Sequence, residues 1–203
     1  LVGVSGTLAD GTWYAHVCAL DQAGNAGAVA TGGPYVIDLS APEVSNVDSV
    51  ATSGGAIGEG EVVNVAITQL LVSFDETMSA SSAQVPSNYL LVAAGSNGVV
   101  DSAACVPGGD DSSIAVDSAA YGGGTTTLGV NGGSVLADGL YRLFACPGLV
   151  DIAGNALDGD GNGAGGDTFA RTFRVDQMPP EVALVDSVAD TGDGVLVENE
   201  ATA

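Results

Sequence analysis

The run Asp158-Gly159-Asp160-Gly161-Asn162-Gly163, with Asp167 close behind, is the stretch of this chain best suited to chemistry. Oxygen-bearing side chains at alternate positions, with glycine where the backbone must turn sharply, are what a calcium loop of the Asp-x-Asp-x-Asn-Gly type requires. The full EF-hand pattern fails, because the residue eleven places after Asp158 is Phe169 rather than Glu. A bidentate ligand must then come from Asp167 or from Asp151. The expected calcium ligands are therefore Asp158, Asp160, Asn162, Asp167 and Asp151. A solvated Gly/Asp turn is the competing reading, and the sequence leaves both open.

A second acidic set surrounds two prolines. Asp38 and Glu43 flank Pro42, and Asp176 and Glu181 flank Pro180. Glu59 and Glu61 form a pair that recurs as Glu198 and Glu200. Strand ends that brought such acids together would let one divalent cation lock adjacent units; the alternative is ordinary solvated charge.

Three cysteines complete the reactive groups. Cys18 occupies a position equivalent to Cys146, so a partner equivalent to Cys105 would precede residue 1. On that reading Cys105 pairs with Cys146, one disulfide per unit, as suits an oxidising compartment. Two buried thiols are the alternative. Catalysis finds no support. The sole histidine, His16, has Phe144 as its counterpart, and a position that accepts either is a packing position. No Gly-x-Ser-x-Gly elbow, phosphate loop or His-Glu-x-x-His helix occurs. The chain is expected not to be an enzyme.

These residues sit in a repeating frame. Ala41-Pro42-Glu43-Val44 followed by Asp48-Ser49-Val50 returns as Pro179-Pro180-Glu181-Val182 followed by Asp186-Ser187-Val188. Asp10-Gly11-Thr12-Trp13 matches Asp138-Gly139-Leu140-Tyr141, and Asp21 to Asn25 matches Asp151 to Asn155. The chain therefore reads as the back of one unit (1–39), a complete unit (40–177) and the front of the next (178–203).

Composition limits the partners. Twenty-five acidic residues face three basic ones, Arg142, Arg171 and Arg174, for a net charge of −22. Such a polyanion repels nucleic acid and anionic lipid. No segment approaches the ~18 apolar residues of a membrane span, so direct membrane insertion is not expected. The absence of lysine rules out Lys–Asn isopeptide braces. A 46% hydrophobic content supplies a core, while 31 glycines argue against long helices.

The secondary-structure signal is short strands between Gly/Asp-rich turns. From Val65 to Phe74 the residues alternate, with Leu70, Val72 and Phe74 on one face. Further strands are expected over 89–92, 113–116, 125–130, 140–146 and 169–175, with one helical turn within 79–85. Strands of this number and spacing make an antiparallel sandwich.

At this point a family resemblance emerges. Ile67 to Met78 resembles the early strand of bacterial Ig-like modules found in S-layer proteins and large extracellular adhesins. Asp138 to Tyr141, Asp151 to Leu157 and Phe173 to Val175 resemble the closing half of that module. Tyr141, following Asp138-Gly139, resembles the tyrosine corner of Ig sandwiches. The resemblance implies an all-β fold of tandem Ig-like antiparallel β-sandwiches at the bacterial cell surface. It implies a structural or adhesive array, a spacer, surface-layer or filament unit, with Ca2+ as its expected cofactor. Expected partners are neighbouring repeats and other copies of the protein in a lattice or filament. The other class is an Ig-like module that recognises a glycan or protein through its loops.

Overall fold

The computed structural model describes residues 6–51 and 53–182. The equivalents Asp186 to Val188, and Glu198 with Glu200, lie outside the described residues.

Eleven strands follow in order: β1 (Gly11–Val17), β2 (Ala30–Ile37), β3 (Val44–Asp48), β4 (Glu61–Val63), β5 (Gln69–Phe74), β6 (Tyr89–Ala93), β7 (Ser112–Ile114), β8 (Val116–Gly122), β9 (Thr125–Val130), β10 (Gly139–Ala145) and β11 (Phe169–Val175). Among the described residues the helical content is one turn, α1 (Ala80–Ala83), and two 3-10 turns at Pro86–Asn88 and Asn131–Gly133. The fold is all-β. One sheet has the order β4-β11-β10-β6-β7, a second β3-β5-β9-β8, and β1 with β2 forms a two-stranded sheet of its own. All pairings are antiparallel except β11 with β4.

Period-two alternation places the core. In β5, Leu70, Val72 and Phe74 are buried, and in β9 Thr126, Leu128 and Val130. These side chains join Tyr89, Leu91, Tyr141, Leu143, Phe173 and Val175 of the five-stranded sheet in one core cluster, so the two sheets face each other. Tyr141 stacks on Phe173 at 5.7 Å between ring centroids. Its hydroxyl donates to the Ala137 carbonyl at 2.8 Å, which fixes the entry into β10.

The other face of β6 and β10 is also buried. Val92, Phe144 and Val100 form a second cluster with Leu90, Leu140 and Cys105 packed on it. This is why Leu90-Leu91-Val92 and Leu143-Phe144-Ala145 are continuously apolar rather than alternating. The cover is the segment 94–111, tied down by a disulfide between Cys105 and Cys146 (Cα–Cα 5.8 Å). Arg142 adds a second tie, donating from Nη1 to the Ser102 carbonyl and from Nε to Thr172 Oγ1, each at 2.8 Å.

Some expectations shift. The strand expected over 113–116 is two strands that break at Ala115, because the chain there crosses from one sheet to the other. Residues 65–68 are not strand, and β5 begins at Gln69. The short strands β3 and β4 carry too few residues to show a period.

The hairpin β1–β2 and the hairpin β10–β11 share their local geometry. Gly11, Thr12 and Trp13 pair with Ile37, Val36 and Tyr35, as Gly139, Leu140 and Tyr141 pair with Val175, Arg174 and Phe173. Trp13 Nε1 donates to the Ala9 carbonyl, four residues back, as Tyr141 Oη does to Ala137. Leu39 N–H donates to Asp10 Oδ1 as Gln177 N–H does to Asp138 Oδ1.

The disulfide sets one expectation. It closes a separation of 41 residues, for which the chain-entropy model gives about 4 kcal/mol of stabilisation. Reduction should lower the urea midpoint accordingly, and a non-reducing peptide map should link Cys105 to Cys146. Two freely alkylatable thiols would contradict the pairing.

Candidate metal centres

The connection between β10 and β11, residues 146–168, wraps around the peptide 38–43 that leads from β2 into β3. Asn155 Nδ2 donates to the Asp38 carbonyl at 3.2 Å, and Asp158 N–H to the Pro42 carbonyl at 2.8 Å. Glu43 N–H donates to Asp75 Oδ1 at 2.7 Å, while Asp75 N–H returns a bond to the Glu43 carbonyl. The peptide 38–43 is thus held by the 146–168 connection on one side and by Asp75, at the end of β5, on the other.

Three acidic clusters emerge among the described residues, each offering carboxylate oxygens within 4.8 Å of one another. The first is Asp158, Asp160 and Asp167. Asp158 is only 2% exposed. Its Oδ1 accepts from Gly161 and Asn162 N–H, and its Oδ2 from Gly163 N–H. Burial alone would raise its pKa, but these three donors outweigh it and hold the carboxyl below the ordinary range. Glycine is required here sterically: a Cβ at Gly159 would lie 2.2 Å from Phe169 N, and Gly163 has φ +84°. Asp167 Oδ1 accepts from Gly159 N–H. Asn162 is in the loop but turns its Oδ1 to the Ala164 N–H at 2.8 Å. The loop therefore satisfies much of its own charge with backbone donors.

Asp151 does not join that loop. It is 1% exposed and accepts Gly154 and Asn155 N–H on Oδ1 and Asn155 Nδ2 on Oδ2. A bridge between Met78 and Asp151 fixes this turn beside the end of β5. There Asp151 meets Asp38 and Glu76, the second cluster, which draws on the end of β2, the end of β5 and the β10–β11 connection. At an effective dielectric of about 20, unit charges about 5 Å apart repel by ~3 kcal/mol. Glu76 absorbs that repulsion. Burial first, then the charges of Asp38, Asp151, Asp75 and Asp10, push its pKa up to about 7.

The third cluster is Asp101, Asp110 and Asp111 in the segment that covers the outer face of β6 and β10. Asp111 Oδ2 accepts from Ser102 N–H and Oγ, while Oδ1 is buried with no donor. A buried carboxylate oxygen without a partner fits a bound cation. Asp110 accepts from Ser96 Oγ and Asn97 N–H, with the Ser96 bond the main cause of its lowered pKa.

The other expected joint acids scatter. Glu43 Oε2 lies towards Gly161, 3.9 Å from where a Cβ there would stand. Glu59 Oε2 accepts Thr172 N–H, and Glu61 Oε2 accepts Gly58 N–H, both beside the edge strand β4. Asp176 Oδ1 accepts Met178 N–H at 3.2 Å, and Glu181 is exposed. None of these five belongs to a cluster of three acids among the described residues. Sequence reasoning also missed Glu76, Asp101, Asp110 and Asp111. The run Asp75-Glu76 directly after β5 was its one available signal, since an acid at a strand end faces whatever packs on that end.

No family model matches this chain, and no curated protein matches it. Among solved structures it is similar to the N-terminal part of the bacterial S-layer protein SbsC, at 18% identity and a TM-score of 0.39. That match covers 66% of this chain and 24% of the other, so the chain spans about a quarter of that protein fragment. It is also similar to PcoC, a methionine-rich copper resistance protein from Escherichia coli, at 14% identity and a TM-score of 0.41. There 68% of this chain and 100% of the other are covered. No helix among the described residues is long and apolar enough to cross a membrane.

Glu76 sets a pH dependence. Its folded pKa of about 7 lies above the ordinary glutamate value of 4.5, so its contribution is fully present below 4.5 and lost as pH rises through 7. In chelator, thermal stability should fall between those values, and Glu76→Gln should remove that part of the slope. An identical slope in the variant would locate the titration elsewhere.

Proposed function

We propose that this chain is part of a tandem array of Ig-like sandwiches outside the bacterial cell, serving as a structural or adhesive element: a spacer, surface-layer or filament unit. The observation that carries the reading is the recurrence of one closing hairpin, with matching pairs at its first three positions and the same aromatic and aspartate bonds, at β1–β2 and at β10–β11. A chain that repeats its closing element, and wraps that element's connection around the peptide entering the unit, is built to transmit position from unit to unit. The disulfide supports an oxidising, extracytoplasmic location. No catalytic role is part of this proposal.

Ca2+ is the cofactor we assign, and the joint cluster of Asp38, Glu76 and Asp151 is its foremost place. Oxygen-only donors, anionic and partly buried, suit a hard cation. A divalent ion there replaces mutual repulsion by attraction to a common centre, and fixes the angle that Pro42 alone only restricts. The loop of Asp158, Asp160, Asn162 and Asp167 is a second, weaker candidate, because backbone donors already serve its central carboxylate. Partners on this reading are neighbouring repeats and other copies of the protein. Acids buried at a joint favour this role over recognition of a glycan or protein through loops. The exposed aromatics Trp13, Tyr14 and Tyr35 lie on the first hairpin, not on the loops of the complete unit.

Calorimetry should detect calcium binding that Glu76→Gln weakens more than Asp160→Ala does. Small-angle scattering should show a multi-unit chain becoming shorter and more flexible in chelator. Calorimetry without heat, together with a scattering profile indifferent to chelator, would remove the calcium reading.

A further inference from the structure

The outer faces of the two sheets differ in what lies on them. That of the five-stranded sheet is under segment 94–111, which carries Asp101, Asp110 and Asp111. On β3-β5-β9-β8 the outward residues are half-buried or exposed. Register sets Leu71, Thr127 and Ala120 in one cross-strand row, and Ser73, Thr125 and Gly122 in the next. Neither row holds a charge, in a chain of net charge −22. Asp48 stands beside Leu71 at the β3 margin, where its Oδ1 accepts Val50 N–H. Asp117, at the register shift in β8, accepts Gly132 N–H. The clustered acids lie at the joint, in the 158–167 loop and on the cover segment. The edges of this sheet are less open than its face. Ile57 N–H donates to the Val47 carbonyl at 2.7 Å and Ser49 N–H to the Gly55 carbonyl at 3.1 Å, so the chain after β3 lines that edge. On β8, Gln84 Nε2 donates to the Tyr121 carbonyl at 3.4 Å. Growth of the sheet by a further strand is thereby hindered.

We infer that the outer face of β3-β5-β9-β8 is a lateral contact between copies of this chain, two such faces meeting about a two-fold axis. This deepens the array reading and rests on it, by naming the surface through which other copies meet. Two polyanions approach at least cost where neither carries charge. A two-fold contact must also be self-complementary. Hydroxyl and amide groups are, because each both donates and accepts, whereas carboxylates only accept. Small side chains keep the face flat, so two sheets can approach to the ~10 Å of ordinary face packing. The area sets the strength. Four strands ~4.8 Å apart, with about 20 Å of outward positions along each, give about 400 Å² per copy. The ~800 Å² of a pair falls short of the ~1,200 Å² of a stable complex. A single contact is therefore weak, and tandem units supply the rest through effective concentration.

Residue-resolved amide NMR on the unaltered 203-residue chain tests this by dilution from about 1 mM. The amides of β5, β8 and β9 should shift with concentration, and more so in added salt, which screens the net repulsion. Thr127, at the centre of the face, supplies the decisive variants. Thr127→Asp and Thr127→Lys should each weaken the association by about tenfold, because like charges then meet across the axis. Thr127→Ser should keep it, which separates loss of contact from loss of fold. Ala170→Asp, at an exposed position of β11, adds the same charge elsewhere and should leave the association within about twofold. Shifts independent of concentration in high salt would overturn the inference, as would shifts confined to β1–β2. So would an association that salt weakens or that Thr127→Lys strengthens, since either would assign the contact to opposite charges. Scattering of a multi-unit chain in chelator reads the joint and not this face, so either idea can fail without the other.

Discussion

Strand β10 must be buried on both faces, and most of this structure answers that requirement. One face enters the core between the sheets through Tyr141, Leu143 and Ala145; the other carries Phe144 into a second apolar cluster. A strand in that position needs two covers and two neighbours. The four-stranded sheet is the first cover, and segment 94–111 is the second. That second cover is poor in apolar residues and rich in Gly, Ser and Asp, so burial alone would hold it weakly. The disulfide and Arg142 hold it instead. Both ties start on β10 or directly after it, which concentrates the cost of losing either one on the same strand.

The joint is governed by a different balance. Hydrogen bonds bring the 151–158 region onto the entering peptide, and in doing so they force Asp151 against Asp38 and Glu76. The bonds to backbone donors are each worth ~1 kcal/mol net, while unscreened repulsion among three carboxylates is larger. Burial and the surrounding carboxylates favour the protonated form of Glu76, whose pKa is pushed up to about 7. That makes the joint the part of the fold most open to solution conditions, in contrast to the disulfide-tied sheet.

Sequence periodicity made the core legible wherever one face of a strand is buried, as in β5 and β9. It was less informative where a strand is covered on both faces or is only three residues long, as β4 is. The turn 151–155 and the loop 158–163 were visible because their geometry is local, with Asp carboxylates capping N–H groups a few residues on. The joint cluster was not visible in the same way. Its members, at positions 38, 76 and 151, meet only because β5, the closing connection and the entering peptide converge. Repetition pointed to Asp38, Glu59 and Glu61 together, whereas Glu59 and Glu61 accept backbone N–H bonds near β4 and Asp38 lies beside Glu76 and Asp151. A repeat records which residues are copied; it does not record which copied residues meet.

The two hairpins carry this point further. Their first three pairs and their flanking side-chain bonds match, although β1–β2 shifts register between Trp13 and Ala15, yet one hairpin is core and the other is surface. Local geometry therefore does not depend on cover: the Asp10 and Asp138 caps, the Trp13 and Tyr141 corner bonds and the Asp21 and Asp151 turns all form from residues on the hairpin or directly beside it. Cover decides stability instead. A hairpin preorganised in this way loses less conformational entropy when a facing sheet arrives, so its apolar side chains can contribute most of their burial energy to docking. In a chain with a net charge of −22 over 203 residues, apolar burial and the neutralisation of the Asp38, Glu76 and Asp151 cluster are two terms that oppose long-range repulsion.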